Sequence, residues 1–244
     1  MNKPWDLEFE VWRNSHLDIQ SKDSDFNNLS KAWMQKAVNN KFSYQFDWMG
    51  VPIIQMPGDL VMFQEIVWKT RPDLIIETGV ARGGSLIFWA SMQKLCGIDG
   101  KVLGVDIDIR DHAKEAISGS QFSQQIELLQ GSATDFNVFE KVKKYALPFK
   151  KIMIALDSNH THEHVMDELK LYADLVSPGC MLLVLDTVID DLEVDPDRSW
   201  GPGASPKSAV IEYMRSRPGI FENLSLLERR SGLSVAPNGY WLKS

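Results

Sequence analysis

Between residues 74 and 185 the chain repeats one pattern: a short apolar run, a polar turn, then a longer stretch with helical spacing. The apolar runs fall at 74–77, 101–107, 126–129, 152–156 and 181–185. The stretches between them, about 85–95, 111–117, 134–145 and 161–176, carry their apolar residues at helical intervals. Strands joined through helices run parallel, because the crossover returns the chain to the same end of the sheet. Near-continuous apolar strands must also be covered on both faces. The segment therefore predicts an open α/β sheet with helices on each side. Beyond it, Ser205 and Pro206 open one more helix, as cap and first helical residue. Two late runs, 221–228 and 233–242, separated by residues 229–232, read as an antiparallel hairpin that closes the sheet. Pro237-Asn238-Gly239 interrupts the second run and makes it the weaker strand.

The first 58 residues follow no such rule. They are rich in aromatic side chains (Trp5, Trp12, Trp33, Phe42, Tyr44, Phe46, Trp48) but broken by polar clusters. One or two helices followed by an irregular strap over 44–58 fit them, with Pro52 and Pro57 as breakers. Asp59 then caps a helix running to about Thr70. The expected division is an N-terminal extension and lid over 1–58 and one α/β domain over 59–244. Composition narrows the classes. Twenty-six basic against thirty-three acidic side chains leave a net charge of -7, which argues against a broad nucleic-acid-binding face. Cys96 and Cys180 are too few for a disulfide scaffold, and they point to a reducing compartment. No run of eighteen apolar residues predicts a transmembrane helix, and the first six residues lack the start of a signal peptide. The expectation is a soluble cytoplasmic protein, whose N-terminal tryptophans offer a surface for self-association.

Ligands of open α/β sheets bind outside the carboxyl ends of the strands. The first strand runs into Glu77-Thr78-Gly79-Val80-Ala81-Arg82-Gly83-Gly84-Ser85, a turn tight enough for a ligand to approach backbone. Neither G-x-G-x-x-G nor a phosphate-loop lysine is present, and Glu77 would repel pyrophosphate. An acid there suits a positive centre or ribose hydroxyls instead. The second strand ends at Asp106, whose two oxygens could accept both hydroxyls of a ribose. Together the two ends point to a nucleoside. Ser132, after the third strand, could meet its base, or that segment is a plain helix cap by Thr134 or Asp135. The fourth strand leads into Asp157-Ser158-Asn159-His160-Thr161-His162-Glu163-His164, and the fifth into Leu185-Asp186-Thr187. Asp157 and Asp186 fall on adjacent strand ends, near enough to share a hard divalent cation such as Mg²⁺, Mn²⁺ or Ca²⁺. His160 is placed to take a proton from a substrate hydroxyl. His162 and His164 read as the polar face of a helix start.

These residues resemble a known family. Asp157-Ser158-x-His160 followed by His164-Val165, the strap over 44–59 and the turn Glu77 to Ser85 are similar to the cephalosporin-hydroxylase family of S-adenosylmethionine-dependent methyltransferases, with which sugar O-methyltransferases, including rhamnosyl ones, are grouped. The resemblance covers 42–188 and, less clearly, 200–214. It implies a Rossmann-like, seven-stranded methyltransferase sheet. It also implies S-adenosylmethionine at Glu77, Thr78, Gly79, Gly83, Ser85 and Asp106, and Mg²⁺ at Asp157 and Asp186. Relatives often carry two adjacent acids at the end of the fifth strand. Here Leu185 stands in place of one, so Thr187, Asn159, His160 or water would have to complete the shell. The reading that follows is an O-methyltransferase acting on a hydroxyl of a sugar or glycan-type acceptor. The aromatic strap and an acidic loop over 190–205 would then exclude water from the site. A nicotinamide-dependent oxidoreductase shares the sheet and Asp106 but lacks its glycine fingerprint, and a non-catalytic scaffold would have no reason to group repelling acids.

Overall fold

The computed structural model describes residues 4–193 and 201–244. Two helices, α1 (Pro4–Lys22) and α2 (Ser24–Asn39), lead through a short 3-10 turn into a two-stranded ribbon, β1 (Asp47–Trp48) and β2 (Val51–Pro52). Then follow α3 (Pro57–Thr70), β3 (Leu74–Thr78), α4 (Gly84–Leu95), β4 (Lys101–Asp106), α5 (Asp111–Gly119) and β5 (Ile126–Gln130). The second half contributes α6 (Phe136–Ala146), β6 (Ile152–Leu156), α7 (His162–Tyr172), β7 (Met181–Val184), α8 (Pro206–Arg215), β8 (Phe221–Asn223), α9 (Ser225–Ser231) and β9 (Tyr240–Lys243).

The main sheet has seven strands in the order β5-β4-β3-β6-β7-β9-β8. The first five run parallel, whereas β9 is antiparallel to β7 and β8 antiparallel to β9. The chain winds outward from β3 to β5, then returns to β6 on the other side of β3. That reversal opens a crevice at the carboxyl ends of β3 and β6, where Thr78 lies level with Leu156. All five residues of β3 are buried, and they alternate between two cores. Ile75 joins Phe63, Phe88 and Trp89 beneath α3 and α4, whereas Leu74 and Ile76 join Val142, Leu169 and Val210 beneath α6, α7 and α8.

Ser205 caps α8 as expected, in a reciprocal box with Ser208, and Thr161 caps α7. Two expectations need correction. Asp59 does not cap α3: Met56 holds that position, Pro57 is the first helical residue, and Asp59 lies fully buried inside the first turn. There it accepts from the Val235 amide and the Tyr240 hydroxyl, both at 2.8 Å, and burial pushes its carboxyl up to about 6. The closing strands are also shorter than the two late runs. β8 stops at Asn223, α9 takes up residues expected in the hairpin, and β9 begins only after the Pro237-Asn238-Gly239 turn. The antiparallel pair itself forms.

Candidate active site

The glycine turn packs as closely as its sequence suggested. Gly79 has φ +92°, and a Cβ on it would stand 2.1 Å from the Asp157 carbonyl oxygen. A Cβ on Gly84 would stand 2.3 Å from the Pro52 carbonyl oxygen, so the strap crosses directly over the start of α4, which Gly83 caps. Glu77 is buried, and its two oxygens accept from Ser85 Oγ and Trp89 Nε1. Burial pushes its carboxyl up to about 7, against the pull of those two hydrogen bonds. Glu77 thus fastens α4 to β3 through Ser85 and Trp89, and Ser85 also lines the cavity over the turn. Thr78 is buried as well, its hydroxyl accepting from the Asp157 amide at 3.3 Å. Asp106, partly exposed at the end of β4, accepts from the Val80 amide at 2.7 Å and the Asp108 amide at 3.0 Å. At the end of β5, Ser132 shares a 3.0 Å hydrogen bond with Thr134, and Asp135 is the cap of α6. The strap covers this turn through Pro52, Ile54 and Gln55, leaving a cavity of about 30 Å³ that also touches Asp157. The aromatic side chains expected over the site lie elsewhere. Trp48 donates to Ser91 and packs on Phe88, Phe46 packs on Phe42, and Tyr44 is 53% exposed.

Across the crevice, Asp157, His160 and Asp186 each present a ligand atom, all within 4.8 Å of one another. His160 Nε2 stands 3.2 Å from Asp186 Oδ2, and Gln55 donates to Asp157 Oδ2 at 3.0 Å. Burial, then the charges of Asp186, Glu77 and Glu168, push the Asp157 carboxyl well above the usual carboxylate range. Asp186 itself sits at φ 53°, a left-handed conformation that costs a non-glycine residue on the order of 1–3 kcal/mol. Two oxygen donors and one imidazole in this arrangement fit a divalent cation.

Two residues offered as completing ligands are committed elsewhere: Thr187 donates to the Pro237 carbonyl at 2.7 Å, and Asn159 accepts from the Thr161 amide at 3.0 Å. Of the three clustered histidines only His160 joins the acids. His162 turns to α8, with Ser208 at 2.8 Å and Glu212 at 3.4 Å, and His164 meets Ser158 at 3.0 Å above the buried Glu168. Gln55 carries no sequence signal. Ser158, His164 and Glu168 form a network whose one hint is the spacing of His164 and Glu168 on α7. In the acidic loop, Asp190 accepts from Gly203 and Ser205 and Asp191 pairs with Lys207, while Asp195, Asp197 and Trp200 lie outside the described residues.

The profile of the family described as Rhamnosyl O-methyltransferase/CmcI matches residues 40–244. A rhamnosyl O-methyltransferase of Mycobacterium leprae (strain TN) is 30% identical over 197 residues, 80% of this chain and 82% of that one. A rhamnosyl O-methyltransferase of Mycobacterium tuberculosis (strain ATCC 25618 / H37Rv) is 30% identical over 198 residues, 81% and 78% of the two chains. Among solved structures, CmcI-N160 in its apo form superimposes with a TM-score of 0.59 at 22% identity, covering 82% of this chain and 76% of that one. CmcI-D160 with Mg and SAM gives 0.58 at 20%, covering 82% and 77%. Those two share the fold; the profile and the mycobacterial relatives carry the family. The protein belongs to the Rhamnosyl O-methyltransferase/CmcI family and is an O-methyltransferase.

Proposed function

We propose that the protein moves the methyl group of S-adenosylmethionine to a hydroxyl of a sugar or glycan-type acceptor, assisted by a divalent cation between Asp157 and Asp186. Mg²⁺ is the first candidate, with Mn²⁺ and Ca²⁺ as alternatives. The observation that carries this reading is the convergence of Asp157, His160 and Asp186 within 4.8 Å, across the crevice from the glycine turn. The family's rhamnosyl members supply the acceptor class, and the CmcI structure with Mg and SAM supplies the cofactors.

The roles divide as follows. Glu77, Thr78, Gly79, Gly83 and Ser85 hold the donor at the glycine turn, where Gly79 and Gly83 allow close backbone approach and the Glu77–Ser85 hydrogen bond keeps the turn in shape. Asp106 accepts from the ribose hydroxyls, and Ser132 borders the base. Pro52, Ile54 and Gln55 overlie the turn and would exclude water from the bound donor. Asp157 and Asp186 hold the cation, which supplies positive charge that favours the alkoxide form of a bound hydroxyl. His160 takes the hydroxyl proton, its ring standing beside Asp186 with Nε2 3.2 Å from Oδ2. Residues 1–58 act as extension and lid to the domain at 59–244. A cytoplasmic location, self-association through the N-terminal helices and no nucleic-acid partner complete the proposal. No described helix is long and apolar enough to cross a membrane.

The test is transfer of label from methyl-labelled S-adenosylmethionine to methyl α-L-rhamnopyranoside, with and without Mg²⁺. Cation-dependent formation of the methyl ether supports the reading. Donor binding without transfer to any of a panel of glycosides would remove the sugar from it.

A further inference from the structure

A second cavity, of about 460 Å³, opens between the N-terminal helices on one side and α9 with the chain before β9 on the other. Its size is that of a small-molecule site. One wall is the 3-10 turn Thr187–Asp191, which starts where Asp186 ends. Val188 lines the cavity only two residues after Asp186, so their Cα atoms lie within about 7 Å.

The lining has the chemistry of a sugar subsite. Met34 is buried at the cavity wall, and Phe26, two turns earlier on α2 and 40% exposed, also lines the cavity with its ring tip set against Gly232. An aromatic ring anchored at one edge offers dispersion contact to the C–H face of a pyranose. Ser30, Lys31 and Arg229 also line the cavity and supply hydrogen-bond donors. Arg229 Nε is buried and has no hydrogen-bond partner among the described residues, a capacity that a ligand oxygen would satisfy. The two acids of the lining are already engaged: Asp191 with Lys207, and Glu228 with the Asn238 amide.

We infer that this cavity is the subsite for the sugar ring next to the one methylated, so that the preferred acceptor carries at least two linked rings. The inference rests on methyl transfer to a sugar as proposed above. Its test compares two probes, methyl α-L-rhamnopyranoside and the methyl glycoside of a rhamnose disaccharide, by kcat/KM and by calorimetric binding. The wild type should favour the two-ring probe about tenfold, the scale of one or two added hydrogen bonds with ring contact. Phe26→Ala, which removes the platform, and Ser30→Trp, which fills the cavity, should each bring the ratio of the two kcat/KM values towards one. Equal use of both probes by the wild type, or a ratio unmoved by either variant, overturns the subsite and leaves the methyl transfer standing. Binding of the two-ring probe that depends on Phe26 but yields no methylated product upholds the cavity and refutes the transfer. A two-ring probe that neither binds nor reacts overturns the subsite.

Discussion

Four acids stand at or just beyond the carboxyl ends of the parallel strands, and the two halves of the sheet treat them in opposite ways. In the half built from β3 and β4, Glu77 and Asp106 are met by the protein's own donors: Ser85 and Trp89 for the first, the Val80 and Asp108 amides for the second. In the half built from β6 and β7, Asp157 and Asp186 instead approach each other, with one amide from Gln55 and one imidazole from His160 between them. Two like charges at about 4 Å repel by roughly 4 kcal/mol at an effective dielectric of 20. The first arrangement holds a turn in shape. The second is unfavourable on its own, and Asp186 adds backbone strain to it. Such a cluster suits a positive charge that enters during function, which is why we propose the cation for this half and the neutral hydroxyls of the donor for the other.

The strongest way to break that contrast is to neutralise the repelling half. Excess chelator, or Asp157→Asn, should lower turnover by about 10³-fold or more, since the charge that stabilises the alkoxide is lost. In the chelated state the same Asp157→Asn change should raise the unfolding temperature, because it relieves repulsion from Asp186, Glu77 and Glu168. Full activity in chelator, or a lowered unfolding temperature for the variant, would place Asp157 among the structurally satisfied acids.

Next in size is the base. His160→Ala should cost about 10²–10⁴-fold in kcat, with donor affinity nearly unchanged. His162→Ala should do far less, because its ring is held by Ser208 and Glu212 on α8. Near-normal turnover by the His160 variant would shift the proton to Asp157.

How much of this could be read from the sequence depends on how local each cause is. The five parallel strands were legible because their apolar runs are short, bounded and separated by helical spacing. His160 was legible because it follows Asp157 by three residues, beyond a strand end. Asp59 was misread because an acid at a helix start looks the same whether it caps or is buried. Its actual partners, Val235 and Tyr240, are 176 and 181 residues away. Gln55 was missed for the same reason: its partner Asp157 is 102 residues away, and nothing in the strap announces the contact. The hairpin was overextended because Leu224, Leu226 and Leu227 read equally well as strand, and the turn at Pro237 fixed only where β9 starts.

The satisfied half yields smaller effects, and the larger of them is on stability. The Glu77 carboxyl is raised from 4.5 to about 7 in the folded protein. The fold therefore holds this proton more tightly than the unfolded chain does. Its contribution is complete below pH 4.5 and is lost as the pH climbs towards 7, by about 3 kcal/mol in all. Denaturant unfolding across that range should show the decline, and Glu77→Gln should remove much of it. An unaltered slope in the variant would assign the pH dependence to Asp59, raised to about 6, or to Asp157.

The smallest effect separates two duties of one side chain. Asp106→Ala should weaken S-adenosylmethionine binding by about 1.5–3 kcal/mol, the scale of charge-assisted hydrogen bonds to ribose. The alanine also releases the Val80 and Asp108 amides, so weaker binding alone does not show whether ribose contact or turn geometry was lost. Asp106→Asn distinguishes them. Its amide oxygen still accepts from the Val80 amide, the Asp108 amide loses its acceptor, and the charge offered to the ribose is gone. If Asp106 touches the donor, the asparagine variant should unfold above the alanine variant, having kept one of the two turn hydrogen bonds, while still losing part of its calorimetric affinity. Wild-type affinity in the asparagine variant, with loss only in the alanine one, would make Asp106 a pure support of the turn.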